Sequence, residues 1–329
     1  MNCAEPSTAA VAEVSSCKLV SRHWVAVQAA LILMLSSAQL IAQTAYKYRD
    51  ANGQWVFTDR AVAAAAPGDA FTLAHENSPL HVAVNRSDNA ESTELIAVND
   101  CLCVVTLLVS IVQSDFAAIP KGAEYRATLA PASRQTLVRA APAGTAQAAL
   151  QYAWKVALGT PGAVHNPPRP YRVPFAIGST YLISQAYPTR VTHTTADSQY
   201  AVDIALPDGT PVYAAREGTV INVRHDSFRA GTSPVMLDQA NVIEILHDDG
   251  TIAIYAHLHW DSIRVRIGAR VERGQYIADS GNTGFTSGPH LHFAVVRNAG
   301  AENVSVPILF AGIGGLGVTP ATHLPLTAY

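Results

Sequence analysis

The sequence predicts an all-β protein. Short runs rich in valine, isoleucine, tyrosine and threonine recur along the chain, and turn residues separate them. Hairpin-type turn signals join neighbouring runs, with Asn52-Gly53 near the N-terminus and Asp248-Asp249-Gly250 in the C-terminal half. No long segment of that half shows the 3.6-residue apolar period of an amphipathic helix. These three observations favour short antiparallel strands.

Length and composition narrow the classes of function. The 329 residues are enough for two domains, and the 49% hydrophobic content is that of a globular protein. The charged fraction is 14%, the net charge is -3, and no basic run occurs. We therefore expect no nucleic-acid partner. The oligomeric state is left open by the sequence.

Residues 1–42 are predicted to be a signal peptide. Lys18 and Arg22 precede an apolar run over residues 24–42, and small residues lie near its end. Three of these small residues are candidate cleavage sites: Ala38, Ala42 and Ala45. The chain is then secreted across the inner membrane into the periplasm. The alternative is an uncleaved anchor that holds the chain at the membrane, facing the periplasm, because the run is almost long enough to span a bilayer. The membrane is then a partner only through this segment.

Three further parts follow the signal. Residues 43–66 form a predicted β-hairpin module, which resembles a short N-terminal module of unknown role in many secreted bacterial proteins. Residues 80–165 carry strand-like runs typical of a β-sandwich-like domain, with no catalytic constellation. Its Cys101 and Cys103 are expected to be strand thiols on one face. A proline-rich linker then leads to a C-terminal domain over residues 170–320.

The stretch GNTGFTSGPHLHFAV, residues 281–295, is the most informative part of the C-terminal domain. A glycine-rich turn leads into a strand that begins His-Leu-His. Because strand side chains alternate, His290 and His292 share one face, while Leu291 and Phe293 point to a core. Two imidazoles beside an open loop can hold a metal ion. A catalytic zinc site needs three protein ligands and leaves one position for water.

Residues 170–310 resemble the lysostaphin-type (β-lytic) zinc metallopeptidases, which cut peptides in bacterial cell walls. Three separate motifs carry the resemblance in the right order: His193 followed by YAVDIALPDGTPV, then YAHL at residues 255–258, then SGNTGFTSGPHLHF at residues 280–293. The resemblance implies a lysostaphin-like β-sheet metallopeptidase domain with one Zn²⁺ ion. Peptidoglycan peptides are the implied partner.

The resemblance also implies a role for each site residue. The metal ligands are His193, Asp203 and His292, and His257 and His290 are the two catalytic histidines that do not bind the metal. Three further residues are expected to contact substrate: Tyr255, which shares a strand face with His257, and Asn282 and Thr283 in the glycine-rich turn.

The choice of aspartate departs from the commonest family spacing. Many members place the aspartate four residues after the first histidine, and Asp197 has that spacing from His193. The downstream residues IALPDGTPV instead align Asp203 with the family ligand. Asp197 is then a solvated residue in an enlarged loop.

The remaining histidines are predicted to have no direct role: His225 and His247 are expected to be solvated, and His259 lies past the YAHL motif. No H-E-x-x-H helix is present, which excludes a glutamate base of that type. The predicted function is a zinc-dependent endopeptidase acting on peptidoglycan stem peptides or cross-links. The alternatives are a catalytically inactive cell-wall-binding or hydrolase-regulating protein of the same fold, and a peptidase of other glycine-containing proteins.

Overall fold

A computed structural model describes residues 44–49, 55–58, 70–72, 82–141 and 148–329. The chain divides into two compact units, Met1–Glu76 and Asn77–Tyr329. The first unit contains the antiparallel strands β1 (Thr44–Arg49), β2 (Trp55–Thr58) and β3 (Ala70–Thr72), in the order β2-β1-β3. The predicted signal peptide and the turn predicted at Asn52-Gly53 lie outside the described residues.

The second unit begins with six strands in two antiparallel sheets, ordered β4-β5-β8 and β7-β6-β9. The strands are β4 (Val82–Asp88), β5 (Thr93–Asn99), β6 (Val105–Ser114), β7 (Glu124–Leu129), β8 (Ser133–Ala140) and β9 (Leu150–Leu158). Alternate residues of β6, such as Val105, Leu107 and Val109, are fully buried. They join apolar residues of the other sheet in one cluster. The domain boundaries predicted for this part stay a prediction.

Cys101 and Cys103 lie in bends between β5 and β6, so the prediction of strand thiols is wrong. Asn99 ends β5, because its side-chain Oδ1 accepts the N–H of Cys101 at 3.0 Å. Its Nδ2 donates to the carbonyl of Cys103 at 3.0 Å. Both cysteines are buried, and burial raises the pKa of Cys103 to about 11.

Fifteen further strands follow, with two 3₁₀ helices, Pro234–Met236 and Ile313–Gly315. The strands are β10 (Thr180–Gln185), β11 (Val202–Ile204), β12 (Pro211–Tyr213), β13 (Gly218–Arg224), β14 (Ala230–Gly231), β15 (Val242–Leu246), β16 (Ile252–Ala256), β17 (Arg270–Val271), β18 (Tyr276–Asp279), β19 (Gly284–Phe285), β20 (Leu291–Asn298), β21 (Asn303–Ser305), β22 (Phe310–Ala311), β23 (Gly317–Val318) and β24 (Pro325–Thr327). Within the described ranges there is no α-helix, and the all-β prediction is confirmed.

Nine of these strands form one sheet, in the order β17-β13-β15-β16-β20-β11-β10-β24, with β21 paired to β20. One face packs on a core that includes Tyr255 and Phe293, whose rings are 5.1 Å apart. The opposite face contributes Ile221, Ile252 and Val296 to the cluster of strands β4–β9. The sheet is therefore covered by apolar side chains on both faces. The functional groups described below lie near the ends of its strands. No described helix is long and apolar enough to cross a bilayer.

Candidate metal centre and active site

Three adjacent strands bring the predicted site together. Asp203 in β11 lies directly opposite His292 in β20. His292 in turn lies opposite Ala256, the last residue of β16, and His257 follows it. Directly opposed residues of an antiparallel pair have Cβ atoms about 5 Å apart. Strand pairing therefore gathers groups that are far apart in sequence.

The three predicted ligands form a compact cluster. His193 Nε2 lies 3.1 Å from both carboxylate oxygens of Asp203, and His292 Nδ1 lies 2.9 Å from Oδ1 of the same group. One ligand atom from each residue lies within 4.8 Å of the others. His193 is 3% exposed and Asp203 is 7% exposed. Two imidazole nitrogens and one carboxylate oxygen are a donor set that suits zinc, so these residues fit one zinc ion.

The charge of this cluster follows from its contacts. Burial raises the pKa of Asp203, but hydrogen bonds from His193 and His292 and the charges of both rings outweigh it. The net pKa lies well below the usual range of a carboxyl. Asp203 is therefore an ionised ligand at neutral pH. The other nitrogen of His193, Nδ1, is buried and has no hydrogen-bond partner among the described residues.

His257 and His290 lie side by side at the edge of this cluster, with ring centroids 4.5 Å apart. His257 Nδ1 is 2.6 Å from the carbonyl oxygen of Thr283, and His290 Nδ1 is 2.8 Å from that of Gly288. Each Nδ1 therefore donates its proton to the backbone, and each Nε2 is left for another partner. The Nε2 of His290 is 3.9 Å from Oδ1 of Asp203.

Burial determines the charge of His257. Burial lowers the pKa of His257 to about 3, and the neighbouring charges of His290 and His292 act in the same direction. His257 is therefore a neutral imidazole at pH 7. With Nδ1 protonated, its Nε2 is a hydrogen-bond acceptor.

The turn that carries Thr283 is tightly constrained. Gly284 has φ +81°, and a Cβ at this position would lie 2.6 Å from the backbone nitrogen of Ala240. Asn241 is fully buried, and its Nδ2 donates to the carbonyls of Ser227 and Leu258. The backbone N–H of Asn241 donates to Oγ1 of Thr283 at 3.1 Å, which holds the turn at the residue whose carbonyl His257 uses.

Tyr255 does not line the cleft, and this prediction is wrong. Its side chain is fully buried in the core, and its hydroxyl oxygen accepts the N–H of Ala215 at 2.7 Å. Burial raises its pKa above the usual value. The prediction assumed that strand alternation continues through His257, but β16 ends at Ala256 and His257 has φ +63°. The left-handed residue turns the chain, so His257 faces the site while Tyr255 faces the core.

The turn residues Asn282 and Thr283 have different positions. Thr283 is 4% exposed, and its Oγ1 donates to the carbonyl of Leu258 at 2.9 Å. Its side chain is therefore committed to the fold, which contradicts the predicted substrate contact. Asn282 is half-buried, and its Oδ1 accepts the hydroxyl of Thr286 at 3.0 Å.

The structure separates the remaining candidates from the site. Asp197 is exposed and accepts a hydrogen bond from Thr195 in the loop between β10 and β11. His225 is half-buried, and His259 Nδ1 turns to the carbonyl of Trp260. His247 was predicted to be solvated but is 2% exposed, with Nδ1 2.7 Å from a backbone carbonyl. Burial lowers its pKa to about 4.

One residue beside the cluster was not predicted. Gln185, at the end of β10, is 6% exposed, and its Nε2 lies 3.3 Å from Oδ2 of Asp203. No metal or catalytic motif includes it. Its position depends on a bulge in the strand pairing, which the sequence does not reveal.

Comparison with protein families identifies the segment that contains most of this site. Residues 197–304 match the model of Peptidase family M23. They form a peptidase M23 domain. His193 lies just before the matched segment, while the other four predicted site groups lie within it. A second family model, Domain of unknown function (DUF4124), matches residues 32–79.

This chain is similar to parts of longer proteins. It is 37% identical over 109 residues to "Peptidoglycan DD-endopeptidase ShyA" of Vibrio cholerae, covering 32% of this chain and 23% of that protein. It is 31% identical over 121 residues to "Glycyl-glycine endopeptidase ALE-1" of Staphylococcus capitis, covering 36% and 31%. The matches thus span about a quarter to a third of these relatives.

Two solved structures also match part of this chain. The catalytic domain of lysostaphin from Staphylococcus simulans is 29% identical, and the match covers 36% of this chain and 80% of that one with a TM-score of 0.26. The catalytic domain of the prophage-encoded M23 protein EnpA from Enterococcus faecalis is 26% identical. That match covers 40% and 92%, with a TM-score of 0.31.

Proposed function

We propose that this chain is a zinc-dependent endopeptidase that hydrolyses peptide bonds in peptidoglycan. One observation carries the proposal: His193, Asp203 and His292 present ligand atoms within 4.8 Å of one another, beside two further histidines. This arrangement supplies a donor set for one metal ion and separate groups for proton transfer. The match to Peptidase family M23 supports it.

His193, Asp203 and His292 would hold the zinc ion. When bound, zinc acts as a Lewis acid that polarises a peptide carbonyl and acidifies water at its open position. The ionised Asp203 leaves the ion with one net positive charge, which keeps it an effective Lewis acid. Asp203 alone supplies the negative charge among the three ligands.

His257 and His290 act on the substrate side. The Nε2 of the neutral His257 can accept a hydrogen bond from the attacking water and orient it. His290 is held through Nδ1 by the carbonyl of Gly288, and its Nε2 can take up the proton that the water loses and return it to the leaving amine. The backbone carbonyls keep both rings in one orientation and lower the cost of reaching the transition state.

The substrate class rests on the relatives. Proteins named as a peptidoglycan DD-endopeptidase and a glycyl-glycine endopeptidase match about a third of this chain. A cell-wall substrate requires a location outside the cytoplasm, which agrees with the predicted signal peptide and periplasmic location. The inactive alternative is not favoured, because all five expected site groups are present and close together.

Digestion of purified sacculi tests the proposal. The secreted chain is stripped with a chelator and then supplied with zinc, and new amino groups and new reducing ends are measured separately. We expect new amino groups only after zinc is restored, with no new reducing ends. Binding to sacculi without release of amino groups would instead support the inactive cell-wall-binding protein.

A further inference from the structure

Gln185 reaches the metal cluster because of a bulge. Ile183 in β10 pairs with Ile204 in β11, and both are fully buried in the core. Regular pairing would place Gln185 opposite Val202, on that same core face. The register shifts between Ile183 and Gln185, so that Gln185 lies opposite Asp203 instead. A bulge of this kind redirects a side chain, and here it directs an amide at a metal ligand.

The amide of Gln185 uses all of its hydrogen-bonding capacity in this position. Its Oε1 accepts the backbone N–H groups of Val191 and Thr192, at 3.0 and 3.1 Å. Its Nε2 donates to Oγ1 of Thr192 at 2.8 Å and to Oδ2 of Asp203 at 3.3 Å. One buried side chain thus contacts one ligand directly and also holds the two residues that precede His193.

We propose that Gln185 is a positioning residue that sets the geometry of two metal ligands at once. Its donated hydrogen bond occupies Oδ2 of Asp203 and leaves Oδ1, the atom nearest His292, for the metal. Its carbonyl anchors the start of the loop that carries His193. This inference rests on the proposed zinc site.

The loop explains why such an anchor is needed. Nine residues lie between His193 and Asp203, and residues 195–200 form a bend and turns. A long irregular loop has more conformations to restrict than a strand has. The two hydrogen bonds to Gln185 restrain the loop immediately before His193, and Asp203 is restrained by the same amide. Groups around a metal ligand typically change metal affinity by 10- to 100-fold when removed.

Two substitutions separate positioning from simple packing. Gln185→Glu replaces the donated N–H with a carboxylate oxygen facing Asp203, and Gln185→Met keeps the volume but removes every hydrogen bond. Gln199→Glu is the matched control, because Gln199 lies in the same loop and its side chain makes no hydrogen bond within the described residues. The zinc dissociation constant of each purified chain is measured by competition with a chromophoric chelator. Thermal unfolding of the metal-free chain is measured in parallel.

We expect both Gln185 variants to raise the zinc dissociation constant by about 10- to 100-fold, while Gln199→Glu leaves it unchanged. The absorption spectrum of the cobalt-substituted chain should change in both Gln185 variants and not in Gln199→Glu. The inference is overturned if the metal-free Gln185 variants are less stable to heat but bind zinc as tightly as the wild-type chain. Gln185 would then have only a packing role. If Gln185→Glu fails to fold, the zinc affinity of Gln185→Met tests the inference. Failure of the wild-type chain itself to bind zinc would reject the proposed function instead.

Discussion

Asp203 is the residue on which the metal centre depends. It accepts hydrogen bonds from two histidines at 2.9 to 3.1 Å and from the buried amide of Gln185. Its carboxylate is the only negative group in the cluster of metal ligands found among the described residues. Removing it leaves two imidazoles with no charge to balance the metal ion, and three ligands are needed to hold a catalytic zinc.

Alanine substitutions should therefore separate the residues into two classes. Asp203→Ala and His292→Ala are expected to lose both bound zinc and hydrolysis. His290→Ala should keep zinc and lose about 100-fold or more in rate, because it removes only proton transfer. Elemental analysis of each purified chain, beside amine release from sacculi, distinguishes these outcomes. Loss of zinc in His290→Ala would place that residue among the ligands.

The choice between two aspartates has its own test. Asp197 is exposed and bonded within its loop, so Asp197→Ala should retain zinc and activity. Asp203→Ala should retain neither. The reverse pattern would show that the shorter His-to-Asp spacing, and not the spatial cluster, identifies the ligand.

At the scale of elements, the site depends on how strands end. His257 follows the last residue of β16 with a positive φ, and the turn before β20 supplies the carbonyl that orients it. Gly284 lies in this turn, where backbone atoms of Ala240 fill the space that a side chain would need. The backbone of one turn thus determines the orientation of a catalytic ring.

Gly284→Ala should disturb both stability and catalysis. Its left-handed backbone disfavours any side chain by about 1–2 kcal/mol, and the close contact with Ala240 adds to that cost. We expect the free energy of unfolding in urea to fall by at least about 1 kcal/mol and the hydrolytic rate to fall as well. Gly231→Ala is the control, because its added Cβ would meet only Met236 at an ordinary 3.7 Å. Equal effects of the two substitutions would contradict this account.

The site elements also show what sequence can and cannot predict. Strand alternation placed His290 and His292 on one face, and the resemblance to lysostaphin-type metallopeptidases grouped them with His193, Asp203 and His257. The prediction from alternation failed at Tyr255. His257, at the end of the strand, has a left-handed backbone, so it faces the site while Tyr255 faces the core. Gln185 could not be found from sequence, because its contact with Asp203 depends on a bulge.

At the scale of the whole molecule, the nine-stranded sheet is covered on both faces. Ile221, Ile252 and Val296 join the apolar cluster of the upstream strands. Glu244, in β15, has its Oε2 buried without a hydrogen-bond partner in the part of the chain that the structure describes, although part of the residue remains exposed. Burial raises the pKa of Glu244 to about 7, against the lowering effects of Arg224 and Asn222. The all-β class followed from the sequence, whereas this coverage depends on long-range packing that no local pattern encodes.

The stability of the chain should respond to the ionisation of Glu244. Between its ordinary pKa of 4.5 and about 7, the folded chain keeps a proton that the unfolded chain releases. Stability from this group is therefore present below pH 4.5 and is lost as the pH rises to about 7, by up to about 3 kcal/mol. Glu244→Gln should remove that loss and stabilise the chain at pH 8 in urea unfolding. The exposed Glu302→Gln should leave the pH dependence unchanged; an equal shift in both variants would contradict the assignment.

Isotope labelling determines directly whether this site hydrolyses peptide bonds. Sacculi are digested by the zinc-loaded chain in ¹⁸O-enriched water, with His290→Ala in parallel, and the products are analysed by mass spectrometry. We expect ¹⁸O in the new carboxylates of released peptides, none in the sugars, and very little product from His290→Ala. Label in the sugars, or equal labelling of peptides by the variant, would contradict it.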